Sequence, residues 1–310
     1  MYQPATLKVL LEHFQQQTPV RASSLIISVW GDAIEPRGCA VWLGSLIKLF
    51  EPFGISERLM RTSIFRLSQD DWLVSEKVGR RSYYRLSDSG HQRFEDAFRR
   101  VYGEEQRRWD GRWLLVNMHL LTADERKKLI ERLRLLGFGS FGSSLYASPF
   151  VSVISVDAIV KEMSLTGRVA LSVTEAQTTK TDLATQALVR QGWALEELEF
   201  GYQNFVVRFQ PLWQEIEMRE SLCPESAFMA RTLLIHDYRK LALRDPSLPD
   251  ALLPNSWSGH AARQLCRNLY HKLTPATERW LQESLESQFG PMPQPGQRFY
   301  ERFEGRRLQG

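Results

Sequence analysis

The chain is poor in the features that mark secreted, membrane-spanning or enzymatic proteins. Of 310 residues only three are cysteine, Cys39, Cys223 and Cys266, all far apart and without a C-x-x-C pair. That excludes a disulfide framework and a closed structural zinc site. The start, Met1-Tyr2-Gln3-Pro4, carries no basic stretch followed by an apolar core, so no secretory signal is expected. No run approaches the ~18 apolar residues of a spanning helix. The expectation is a cytoplasmic protein with reduced thiols. There is no G-x-S-x-G, no phosphate-binding P-loop, and no G-x-G-x-x-G between a strand and a helix. Gly137, Gly139 and Gly142 have that glycine spacing but follow a helical pattern, and read as a flexible loop.

What is present is ordinary globular composition: 43% apolar, 25% charged and 11% aromatic residues. Lys and Arg number 40 against 36 Asp and Glu, a formal charge of +4. This mildly basic balance permits a nucleic-acid partner without demonstrating one. Gly103–Gly111 and Thr178–Asp182 look like boundaries, giving blocks at 20–102, 112–175 and 182–289. The Gly- and Pro-rich residues 290–310 are expected to be an irregular, weakly ordered tail. The fold class expected is mainly α with α+β parts.

The first block has the order of a winged helix-turn-helix. Two apolar helical stretches (Leu25 to Trp30, Leu43 to Phe50) precede the turn Phe53-Gly54-Ile55. Ser56 then caps a helix to about Asp70, and strands Trp72–Val78 and Ser82–Leu86 flank the turn Gly79-Arg80-Arg81. Ser87 caps a further helix. At 100° per residue, Met60, Ser63, Ile64 and Leu67 share one face of the Ser56–Asp70 helix. Arg58, Thr62, Phe65 and Gln69 lie opposite, flanked by Arg61 and Arg66. An arginine can grip phosphate or read guanine with two hydrogen bonds. The candidate DNA contacts are Arg58, Arg61, Thr62 and Arg66 on the helix and Arg80, Arg81 and Tyr83 on the hairpin. Tyr83 is equally able to pack its ring against the helix. Segment 56–86 holds seven basic residues against four acids, most of the net charge of the chain.

The middle block reads strand, helix, strand, strand, helix, strand, the order of a ferredoxin-like βαββαβ unit. It resembles the fold of the small CRISPR-associated metal nucleases. Those carry an acid at the end of the first strand; here Val116-Asn117-Met118-His119-Leu120 has none, so packing and dimerisation are expected instead. The last block predicts helices at 182–190, 194–218, 225–243, 259–273 and 276–288, with Pro224 and Pro275 in first turns. His236, Asp237 and His260 with Cys266 lack the partners of a metal site, and no metal or catalytic group is expected.

Several strings together resemble the PaaX family of bacterial transcriptional repressors. They are Gly31-Asp32-Ala33-Ile34-Glu35-Pro36-Arg37-Gly38, Val41-Trp42-Leu43-Gly44-Ser45-Leu46-Ile47, Phe53-Gly54-Ile55-Ser56-Glu57-Arg58 and Gly79-Arg80-Arg81-Ser82-Tyr83-Tyr84-Arg85-Leu86. His236-Asp237-Tyr238-Arg239, Leu243-Arg244-Asp245-Pro246 and Trp257-Ser258-Gly259 extend the match. Cys39 stands where many relatives have a second glycine. The resemblance implies a homodimeric repressor of phenylacetate catabolic genes, bound to palindromic double-stranded operator DNA and released by phenylacetyl-CoA. An acyl-CoA site needs basic and aromatic groups, for which His236, Arg239, Arg244 and Trp257 are candidates; a structural role for these residues is an equal alternative. A second reading stays open: a protein-interaction or acyl-CoA-handling protein with a vestigial winged helix.

Overall fold

The computed structural model of the chain describes residues 1–17, 22–103, 109–150, 152–175 and 183–305. It is mainly helical, with two small antiparallel sheets. Most of the two expected boundary stretches, 103–111 and 176–182, lies outside the described residues, as does 306–310. By packing, the chain forms two compact units. The first holds residues 1–104, 202–243 and 259–310; the second holds 105–201 and 244–258.

The first unit opens with α1 (Thr6–Gln15), a helix the sequence reading leaves unassigned. The Glu215 carboxylate accepts from the Ala5 and Thr6 backbone N–H groups at 2.6 and 2.9 Å and from the Tyr2 hydroxyl at 2.6 Å. Burial opposes its ionisation, but these bonds hold the carboxyl at about 2. Helix α2 (Ala22–Val29) is almost wholly buried and runs into a π-helical turn, Trp30–Ile34. The short strand β1 (Val41–Trp42) leads to α3 (Leu43–Phe50). A 3-10 turn follows, closed by Gly54 at φ +78°, a backbone state that favours glycine. Then come α4 (Glu57–Gln69), the hairpin β2 (Leu73–Val78) and β3 (Arg81–Leu86), and α5 (Asp88–Tyr102). Ser87 caps α5, its Oγ accepting from Gly90 N at 2.9 Å.

The second unit has β4 (Arg112–Asn117), α6 (Ala123–Leu135), β5 (Gly139–Ser140), β6 (Leu145–Ser148), α7 (Val153–Glu162) and β7 (Ala170–Glu175). Its sheet order is β5-β6-β4-β7, with every neighbouring pair antiparallel. Leu114 and Val116 from β4 meet Leu129 and Leu133 from α6 and Val156 from α7 in one apolar core. Thr122 and Glu125 form a reciprocal capping box on α6. Arg168, followed by those capping bonds, draws Glu125 down to about 2. The glycine-spaced stretch is not a loose loop. Gly139 sits in β5 under the Trp193 ring, which a Cβ there would strike at 2.4 Å. Trp193 belongs to the chain after α8 (Leu183–Gly192).

Helix α9 (Leu195–Ile216) returns the chain to the first unit, which α10 (Pro224–Ala242) and α11 (Ser258–Ser284) complete. Helix α10 packs on α1, α2 and α5. The expected pair of helices at 259–273 and 276–288 is instead the single α11. Pro275 is exposed, so its missing N–H frees a carbonyl on the hydrated side of the helix, where the loss is tolerated. The last four of those residues leave the helix: β8 (Glu286–Ser287) pairs with β1 and with β9 (Gly290–Pro291), and the sheet reads β2-β3-β1-β8-β9. The tail also departs from expectation. After β9 come α12 (Gln297–Tyr300) and a final 3-10 turn, with Phe299, Arg302 and Phe303 buried.

Arg302 explains why that tail is held. The Asp32 carboxylate, in the middle of the buried π turn, accepts from Arg231 Nε at 2.9 Å and from the Tyr102 and Tyr270 hydroxyls at 3.0 Å each. Arg302 Nη1 adds bonds to the Asp32 backbone oxygen at 2.7 Å and to its carboxylate at 3.2 Å. Burial and the neighbouring carboxylate push the Tyr102 hydroxyl well above its ordinary range, so it remains a donor. A buried charge survives only when paired and hydrogen-bonded. Here the partners come from residues 32, 102, 231, 270 and 302, which locks both ends of the chain into one unit.

Candidate nucleic-acid interface

Helix α4 is built two-faced. Ser56 Oγ accepts from Leu59 N at 3.3 Å and sets its start. Met60, Ser63, Ile64 and Leu67 are buried, against α2 among others. The opposite face carries Arg58, Arg61, Thr62, Phe65, Arg66 and Gln69, all exposed. Phe65 is 62% exposed, a large apolar ring among cations.

The exposed basic groups are not equivalent. Arg61 is held by the Glu57 carboxylate through Nε at 2.9 Å and Nη2 at 2.7 Å. Thr62 Oγ1 donates back to the Arg58 carbonyl at 2.9 Å, which leaves its oxygen free to accept. No carboxylate among the described residues pairs with Arg58, Arg66 or Arg80. Arg80 follows Gly79 (φ +61°) at the hairpin turn.

Two hairpin candidates are placed otherwise than the sequence suggests. Tyr83 is buried, directly opposite Trp42 in the β1–β3 register, so its hydroxyl is not a surface phosphate donor. Arg81 bonds the Glu286 carboxylate and stacks on the Trp42 ring with 4.3 Å to the centroid. Its guanidinium is committed to the five-stranded sheet. Nothing local signals this: Glu286 lies 205 residues away.

The four effector candidates divide between the units. His236 is sealed in the first, its Nδ1 2.9 Å from Ser28 Oγ and its ring edge-on to Phe14. Burial pushes its imidazole down to about 3, so it is neutral. On the next turn, Arg239 donates from Nε to Ser28 Oγ at 2.7 Å and from Nη2 to Ser24 Oγ at 2.8 Å. Asp237 faces a different helix, binding Arg208 of α9 at 2.5 Å. Arg244 and Trp257 belong to the second unit. Arg244 is an exposed ion pair with Glu197 at 2.6 Å, and Trp257 is buried.

Three family models match in succession. They are the PaaX-like protein over residues 21–90, the PaaX protein central Cas2-like domain over 106–186, and the PaaX-like protein C-terminal domain over 193–283. The chain is similar to the transcriptional repressor PaaX of Escherichia coli (strain K12), with 38% identity over 96% of this chain and 95% of that one. Among solved structures it is similar to the uncharacterized protein Rv0674 from Mycobacterium tuberculosis, with 21% identity and a TM-score of 0.48. That match covers 76% of this chain and 89% of the other. Spanned by these three models and aligned along almost its whole length with a repressor, the chain belongs to the PaaX family.

Proposed function

We propose that this PaaX-family repressor binds operator DNA through a winged helix-turn-helix, and that it does so as a homodimer released by phenylacetyl-CoA. Membership of the family makes the chain a transcriptional regulator, not an enzyme, and the genes it represses are those of phenylacetate catabolism. In this reading α3 and α4 are the two helices of the motif, and α4 enters the major groove. Hairpin β2–β3 is the wing, with Arg80 and Lys77 on the sugar-phosphate backbone. The observation that carries it is the exposed Arg58 and Arg66, without a carboxylate partner among the described residues, on a capped helix whose other face is buried.

The strand order of the second unit suits a ferredoxin-like domain in the dimer. Its edge strand β7 has exposed Val173 and Thr174, a surface on which two copies can pair. Two α4 helices related by a two-fold axis would read half-sites one helical turn or a multiple apart.

The test is a gel-shift titration on a phenylacetate catabolic promoter across a salt series. Wild-type protein shifts it at nanomolar concentration, and affinity falls steeply as salt rises. Arg66→Ala weakens binding and lowers the salt slope by about 1, with an unchanged melting temperature. Absence of any shift below micromolar protein sinks the reading.

A further inference from the structure

The first unit contains a shallow, partly open cleft between α2, α5 and α10. Its wall is mostly apolar: Ile27 from α2, Phe94, Ala97, Phe98 and Tyr102 from α5, and Ile235 from α10. Phe94 and Phe98 are half buried; Trp72 meets the Phe94 ring edge-on at 6.0 Å, and the Arg298 guanidinium lies 3.9 Å from the Phe98 ring centroid, so each ring keeps only part of its surface free. The Phe94 ring lies directly on the Gly31 backbone, where a Cβ would meet it at 1.9 Å. The wall is therefore closely fitted on one side and open on the other.

One cation lines this cleft. Among the described residues Arg239 is bonded only to serine oxygens, and no carboxylate pairs with it. A guanidinium this far out of water ordinarily has an anionic partner. Glu35 and Glu95 also line the cleft. With His91 they bring one ligand-type atom each to within 4.8 Å of one another, and Arg298 binds Glu95 at 2.5 Å. These carboxylates repel a second anion, so a polyanionic group would stay in solvent while an apolar group with one oxygen acceptor enters.

We propose that this cleft is a ligand site for an aryl-acyl group, its ring against Phe94 and Phe98 and its acyl oxygen accepting from Arg239. The inference rests on the effector-released reading above and gives it a location. Helix α2 lines the cleft on one side and packs on α4 on the other, and α5 continues from the hairpin strand β3. An occupant that spreads α2 from α5 thereby shifts the helix that carries Arg58 and Arg66.

Direct binding to the full chain, without DNA, tests the site by calorimetry. The probes are phenylacetyl-CoA, phenylacetate and coenzyme A. At least one of the two aryl-acyl probes binds, and coenzyme A alone does not. The stronger of the two identifies the source of the acyl group. Ala97→Phe fills the cleft and weakens that binding by at least about tenfold, while operator affinity without ligand is kept. Arg239→Lys weakens it while leaving the melting temperature close to wild type. Failure of both aryl-acyl probes to bind, or binding by Ala97→Phe equal to wild type, overturns the cleft assignment. Because operator binding is read separately, that result leaves the DNA reading standing, and loss of operator binding in the wild type leaves the cleft standing.

Discussion

The contrast between His236 and Arg239 shows what one turn of α10 does to two polar side chains. Both are tied to Ser28, but His236 is sealed beneath Phe14 while Arg239 reaches a cleft. A buried neutral imidazole ties stability to pH. Its pKa in the folded state is about 3 against an ordinary 6.5. As pH falls through 6.5 the unfolded chain takes up a proton that the folded chain refuses, so stability declines below that point and the loss is complete only near 3. At about pH 5 the cost relative to about pH 7 is ~2 kcal/mol. The Glu215 and Glu125 carboxyls, held near 2, begin to contribute only below their ordinary 4.5. His236→Gln therefore flattens the dependence of the urea midpoint on pH between those limits, and a slope identical to wild type would show that another group titrates there. Of the residues in the candidate interface, those on α4 are legible in the sequence because a 3.6-residue period assigns each position a face. Tyr83 and Arg81 are not. Strand alternation says that they share one side of the hairpin, but whether that side is covered depends on β1 and β8, which arrive from elsewhere in the chain.

At the scale of elements, the cap is what the local sequence states most clearly. Ser56, Ser87 and Thr122 each begin a helix where a side-chain oxygen can take an otherwise orphaned N–H. For α4 the cap has a consequence beyond stability, since Arg58 lies in the first turn. Ser56→Ala costs about 1 kcal/mol and frays that turn, whereas Ser56→Asp keeps an acceptor and stays near wild type. Hydrogen exchange at the Leu59 amide reads the difference: faster in Ser56→Ala, unchanged in Ser56→Asp. Equal protection in both variants would mean that burial of Met60 and Ile64 alone fixes the helix start. The elements that were not legible are those without room for a period. Strands β1, β8 and β9 have two residues each, and β8 follows directly on a long helix. The continuity of α11 is hidden for the opposite reason: a proline in sequence looks like a stop, and only the exposure of its face makes it harmless.

At the scale of the molecule, composition misleads most about the end of the chain. Three prolines and the glycines at 290, 296 and 305 look like a loose tail, yet Phe299, Arg302 and Phe303 are among the most buried residues of the first unit. The reason is electrostatic as well as hydrophobic. Asp32 needs more than Arg231 to satisfy it, and Arg302 caps both its carboxylate and the Gly31 and Asp32 carbonyls of the π turn. Deleting residues 297–310 strips two buried phenylalanines and one partner of a buried charge network. The expected loss is on the order of 5 kcal/mol or more, enough to unfold a domain of ordinary stability. Since Tyr102 and Asp32 belong to the N-terminal block, the damage reaches the helices that support α4. The truncated chain accordingly loses helical circular dichroism at a markedly lower temperature, and trypsin cuts the 56–86 segment at concentrations that spare the intact protein. The point variant Arg302→Met keeps the volume but orphans part of Asp32, and lies between the two in melting temperature. A truncated chain that melts with the intact one would mean that the tail is a passenger and that α10 and α11 alone hold the repressor's first unit together.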